Sequence, residues 1–118
     1  MSNIDIDVSQ EQVTAAEVTV YTASTASNFS SATITGGVCT NAGATDSELT
    51  VNVVKFGDSA SASNRYFLPK VIFNGGYDLM SSLAGAGLKL KSGDFIVTKA
   101  SVAAMLNFKL SIVEKYTD

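Results

Sequence analysis

From Leu106 to Ile112 a large apolar side chain stands at every second position: Leu106, Phe108, Leu110 and Ile112, with Asn107, Lys109 and Ser111 between them. Side chains of a strand point alternately to its two faces, so this spacing puts all four on one side. A slip of one residue would move the whole set into water, so the register of such a strand is strongly specified. Leu49–Phe56 alternates in the same way, and Glu17–Ala23 and Phe95–Ala100 are short runs rich in β-branched residues. No amphipathic helix of useful length interrupts them. With turn residues between, the chain reads as about eight strands spaced roughly 8–12 residues apart, the pattern of a sandwich. The expected fold is therefore all-β: a single antiparallel β-sandwich, jelly-roll-like. Its expected core contains Val18, Val20, Val51, Val53, Ile96, Leu106, Phe108, Leu110 and Ile112.

The punctuation between strands is less regular. Gly36-Gly37 divides the run from Phe29 to Thr40 and reads as a bulge, a bend or a turn between two short strands. Gly57–Asn64 is a Ser/Ala-rich loop. Arg65–Phe73 reads as a strand whose single proline, Pro69, belongs on an edge or at a bulge. Asn74-Gly75-Gly76 and Lys91-Ser92-Gly93-Asp94 are turns, and Asp94 is a turn residue rather than a reactive acid. Tyr77–Leu83 is ambiguous between strand and helix. Residues 1–12 form an acidic N-terminal arm ahead of the sandwich at 13–118. On it Ile4, Ile6 and Val8 alternate, so the arm is either a strand that adds to its own sheet or to a neighbouring subunit, or a frayed terminus.

With 118 residues the chain fits one domain and can bury enough apolar surface to fold without disulfides. It contains no histidine, no tryptophan and one cysteine. Histidine is the usual general base near neutral pH and the commonest metal ligand, so its absence removes His-based triads and His-based metal sites together. Cys39 has no cation or base close in sequence to activate it and reads as a buried, inert thiol. Asp58, Asp78 and Asp94 stand beside glycine or loop residues, where turn-forming aspartate is the ordinary role. Gly85-Ala86-Gly87 has the glycines of a phosphate loop but leads into a strand, without the helix N-terminus such a loop needs. Asp46 and Glu48 are too sparse for a calcium loop. The chain is thus expected to be no enzyme and to hold no cofactor and no metal.

Charged residues make up 16% of the chain, against roughly 25% in an average globular protein. Ser, Thr, Ala, Asn and Gly take their place, giving a neutral surface suited to extensive contact between subunits. The net charge of −3 argues against direct nucleic-acid binding, which needs a basic face. The charges are also segregated: residues 1–54 hold six acids and no Lys or Arg, while residues 55–118 hold all eight bases and five acids. Such a division fits an acidic end meeting a basic neighbour. No apolar run approaches the roughly 20 residues that cross a bilayer, so no membrane is expected as a partner. The opening residues, Met1–Asp5, are polar and acidic, the reverse of a signal peptide, and a cytoplasmic origin is expected. Asn64-Arg65-Tyr66 is the other local candidate for interaction, tyrosine being enriched as an interface anchor; the structural alternative is an Arg stem packed over Tyr at a strand start.

Three segments carry a resemblance: Ala16–Ala23, Asn64–Pro69 and Leu88–Ser101, the last followed by one more alternating strand. In that order of strand and turn residues the chain resembles the small β-sandwich structural proteins of tailed-bacteriophage virions. The resemblance implies a non-enzymatic subunit present in many copies, most simply a decoration or cement protein of the capsid. Its partners would be the major capsid protein or other virion proteins, and further copies of itself as a homo-oligomer. A neck or tail-ring component is the alternative within a virion, and a carbohydrate-binding or adhesin-like module the alternative outside it.

Overall fold

The structure, a computed structural model, describes residues 2–66, 69–79 and 88–117. Its strands are β1 (Ser2–Gln10), β2 (Val18–Thr22), β3 (Phe29–Asn41), β4 (Ser47–Val54), β5 (Lys70–Ile72), β6 (Tyr77–Asp78), β7 (Lys89–Leu90), β8 (Phe95–Ala100) and β9 (Leu106–Tyr116). A 3-10 turn, Ala62–Asn64, lies between β4 and β5. One sheet runs β1-β9-β3, with β6 and β7 both on the far side of β3; the other runs β2-β8-β4-β5. Every pairing is antiparallel. Counting β6 and β7 as two pieces of one position, each sheet has four strands, and the chain keeps crossing between the sheets. That order is a jelly roll, two sheets rolled from one long antiparallel ribbon.

The core follows the alternation. Leu106, Phe108, Leu110 and Ile112 of β9 are buried together with Val51 and Ile96. Val18 is half-buried, and Val20 and Val53 pack at the margin of the core rather than inside it. Val13, Ile34, Leu49 and Leu90 complete the interior.

Two bulges account for most departures from simple alternation. In β3 the register against β9 shifts between Ile34 and Gly36. Ala32 and Ile34 point inward before the shift; after it the inward residues are Gly37, Cys39 and Asn41, opposite Leu110, Phe108 and Leu106. Gly36-Gly37 is therefore a bulge inside one continuous thirteen-residue strand, not a turn between two. In β2 a shift between Thr19 and Tyr21 turns Tyr21 into the interior opposite Ile96.

Arg65–Phe73 is not one strand. Arg65 makes an isolated bridge to Asn52, and the strand begins only at Lys70, directly after Pro69, on the edge of its sheet. Phe67 and Leu68 lie outside the described residues. The first two residues of Tyr77–Leu83 are extended; residues 80–87, which include Gly85–Gly87, lie outside the described residues as well. The turn at Asn74–Gly76 is as expected, with Gly75 at φ +77°.

The N-terminal stretch pairs with the chain's own sheet. β1 pairs with β9 along its full length, from Ser2↔Tyr116 to Gln10↔Phe108, and forms an edge of its own sheet. The partner left open by the sequence is the chain's own last strand.

Candidate functional site

Edge strand β1 presents two different faces. Ile4, Ile6 and Val8 stand opposite Glu114, Ile112 and Leu110, the inward-facing residues of β9, and their burial rises along the strand. Ile4 is 47% exposed, Ile6 is half-buried and Val8 is 8% exposed. Asn3, Asp5, Asp7 and Ser9 fill the intervening positions and are exposed. The three apolar residues singled out in the sequence thus anchor the edge to the core. The exposed material on this edge is the acidic row between them.

Asn64, Arg65 and Tyr66 lie on the other sheet, and the structure does not bring them to β1. Asn64 ties down the loop. Its Oδ1 accepts from Ser61 N–H (3.0 Å) and from Asn52 Nδ2 (2.7 Å), and its own Nδ2 donates to Ser59 C=O (2.9 Å). Tyr66 N–H donates to Val51 C=O (2.9 Å), and its side chain packs against the core. Only Arg65 is exposed. It lines two adjoining grooves, of about 330 and 180 Å³, and in both it is joined by Thr50 and Lys99. The Ser/Ala-rich loop thus acts as a cover on the outer face of this sheet, which explains why Asn52 and Val54 are buried there.

A cleft of about 360 Å³ opens at the end of β1 and is lined by Glu11, Gln12, Thr40, Met105, Asn107 and Lys109. Gln12 and Ala104, which also lines it, both adopt positive φ (53° and 67°). Hydrogen bonds hold them there: Gln12 N–H to Asn107 Oδ1 (2.9 Å) and Ala104 N–H to Val13 C=O (3.2 Å). No group of three or more metal-ligating side chains is gathered among the described residues.

The sequence reading missed two buried polar clusters. Glu114 continues the inward face of β9 beyond Ile112 and is 8% exposed. Tyr21 Oη donates to Glu114 Oε2 (2.5 Å) and Tyr116 Oη to Glu114 Oε1 (3.0 Å), so the carboxylate bridges the two sheets. Burial, followed by the hydrogen bond to Glu114, raises the Tyr21 phenol well above its usual range. The signal was available: a carboxylate at a core-facing position must find donors, and tyrosines are the residues that can reach it. The second cluster centres on Asn41. Its Nδ2 donates to Thr45 C=O (2.9 Å) and Ile72 C=O (2.8 Å), and its Oδ1 accepts from Gly43 N–H (2.9 Å).

Cys39 is fully buried, as expected. Burial pushes its thiol up to about 12, with the charge of Asp78 adding to the shift. At pH 8 the native protein is therefore expected to react with a thiol reagent about a thousandfold more slowly than an exposed thiol, and at normal speed once denatured. The raised value favours the neutral thiol in the fold. That contribution to stability is present below the ordinary thiol value of 9.0 and is lost as pH rises from there toward 12. Reagent titration across pH 7–11, with and without urea, checks both statements.

An antiparallel jelly-roll sandwich with one long, polar-faced edge is the class of molecule these features define. Among solved structures, the chain is similar to one from work on Bacillus endospore appendages, described as a novel family of disulfide-linked pili. The two share 13% identity at a TM-score of 0.56, over 98% of this chain and 88% of that one, a likeness of fold. No protein-family model matches the chain, and no curated protein matches it.

Proposed function

We propose that this chain is a non-enzymatic structural subunit of a multi-copy assembly, with the surface of a bacteriophage virion as its setting. The observation that carries the structural role is β1. Its nine residues form a sheet edge with no strand on its outer side among the described residues, and its exposed row is polar. Long open edges are usually blunted or used, and strand addition is the standard use. The low charge of the surface and the jelly-roll fold, an architecture that recurs in viral capsids, support the same reading. The virion setting rests on the resemblance of the strand and turn segments. Fold alone does not assign it.

A pilus-like filament is the second reading, favoured by the solved neighbour. The linkage in that neighbour's description does not transfer directly, because the one cysteine of this sequence is buried. Any filament of this chain would be held by non-covalent contacts and would survive reductant.

The test is co-sedimentation with particles. In lysates of the infected host the chain is expected to travel with capsids at many copies per particle. Recovery only as free filaments, resistant to dithiothreitol, would overturn the virion setting in favour of the second reading. A free monomer of 12.3 kDa that turns over or captures a glycan would overturn the structural role itself. Deleting residues 1–12 is a poor control here, since it strips a paired strand from the sheet.

A further inference from the structure

We infer that copies of this chain join head to tail, the outer edge of β1 in one copy adding antiparallel to the outer edge of β7 in the next, with Asp7 opposite Lys89; among the described residues no strand covers either edge. The inference rests on the structural-subunit reading and names the partner of its edge: a second copy.

Strand direction allows it. Along the row β1-β9-β3-β7 each pairing is antiparallel, so directions alternate up, down, up, down. A second copy in the same orientation therefore offers a β1 that runs antiparallel to β7, and the ladder continues without inversion.

The main-chain groups face the right way. Ile34 N–H donates to Leu88 C=O (3.1 Å), so Leu88 and Leu90 turn their backbone toward β3 and Lys89 turns its backbone outward. On the other edge Val13 N–H donates to Leu106 C=O (2.7 Å), from the β1 side. By alternation Phe108, Leu110 and Ile112 also address β1, their partners Gln10, Val8 and Ile6 reply, and the backbones of Asp5 and Asp7 face open solvent. Asp7 and Lys89 can thus exchange both N–H···O bonds.

The side chains then select the register. With Asp7 opposite Lys89, the Asp5 side chain comes beside Lys91, whose own main chain is tied into the turn with Asp94, and all four are exposed. On the inward side the same register sets Ile6 against Leu90 and Val8 against Leu88, apolar against apolar. Opposite charges directly across a strand pair favour it, and like charges disfavour it. This also disposes of the symmetric alternative. An antiparallel β1–β1 pair centred on Ile6 would place Asp5 against Asp7 twice.

The assembly that results is open. Within one copy Asp5, Val113, Thr33 and Lys89 share a row across the sheet, yet Lys89 meets Asp7 of the next copy. Each copy therefore steps two residues, about 7 Å, along the strand direction. A heterologous contact with such a step, added to sheet twist, favours a helical run over a flat ring.

The test uses the full chain and two charge-reversed variants, Asp5→Lys/Asp7→Lys and Lys89→Asp/Lys91→Asp, followed by sedimentation velocity. The wild-type chain is expected to self-associate, more weakly as salt rises. Each variant alone should need about tenfold more protein, or higher still, to reach the same degree of association. An equimolar mixture of the two should regain wild-type behaviour, because each edge then meets an edge of opposite sign. As a second measure, an Asp7→Cys copy oxidised together with a Lys89→Cys copy should form an intermolecular disulfide, as the pairing requires. If the variants associate like wild type, the mixture stays apart or no cross-link forms, the edge assignment is overturned. The structural role is judged separately by particle co-sedimentation, so the two failures are distinguishable.

Discussion

Phe108→Ala is expected to lower the unfolding free energy by about 3–5 kcal/mol, through lost burial and the cavity left behind. Phe108 is fully buried, in the middle of β9, with Gln10 of β1 on one side and Cys39 of β3 on the other. Among the described residues it is also the largest of the fully buried side chains, so neighbours would have to move far to fill its place. A domain of this size holds about 5–15 kcal/mol in total, so the variant should populate unfolded chain at ordinary temperatures. Urea unfolding checks it: the midpoint should fall sharply with an unchanged slope. Phe73→Ala is the contrast, since Phe73 is 66% exposed and should shift stability by no more than about 0.5 kcal/mol. Equal losses in the two variants would refute the assignment of the core.

Asn41→Ala should cost about 2–4 kcal/mol despite removing few atoms, because it orphans buried polar groups. Asn41 is 2% exposed at the point where the chain passes between sheets. Its side chain ties the end of β3 to the Gly43–Thr45 loop and to β5 of the opposite sheet. Its main chain meanwhile bonds Gly75 and Gly76 of the turn leading to β6. Alanine keeps the main-chain bonds and deletes the other three, leaving the Ile72 and Thr45 carbonyls and the Gly43 N–H to find water. Asn41→Asp is expected to be no better than alanine, since a carboxylate can accept from Gly43 but has no hydrogen for the two carbonyls. Thermal unfolding followed by limited proteolysis between 42 and 46 would show it. An aspartate variant as stable as wild type would mean that the amide donors are not what holds this corner.

Strands with unbroken alternation were legible from the sequence: β9 and β4 were placed together with their inward faces, and β8 as a strand. The errors cluster where one inserted residue flips the face of everything after it. Strict alternation in β2 puts Val18 and Val20 inside and Tyr21 outside; the bulge brings Tyr21 in and leaves Val18 half-buried. The shift near Gly36 likewise turns Asn41 into the interior, on the same face as Cys39, whose burial was expected. A bulge is a pairing event between distant strands, and nothing local in Thr19-Val20-Tyr21 announces it. Ile4, Ile6 and Val8 left strand and frayed terminus both open, and the exposed charges of the strand that forms are Asp5 and Asp7. Of Asn64-Arg65-Tyr66, one residue latches a loop and one packs on the core, which leaves Arg65 at the surface.

The pairing of β1 with β9 also sets a timetable. Ser2 lies opposite Tyr116, so β1 leaves the ribosome roughly a hundred residues ahead of its partner strand. At a synthesis rate of about 5–20 residues per second, that wait lasts on the order of 5–20 seconds. Through all of it Ile4, Ile6 and Val8 stand unpaired in a segment ready to form strand with anything nearby. Two aspartates set between them are a charge brake on premature pairing, in the manner of residues that guard aggregation-prone strands. Neutralising Asp5 and Asp7 would lift that brake while β1 is still waiting for β9.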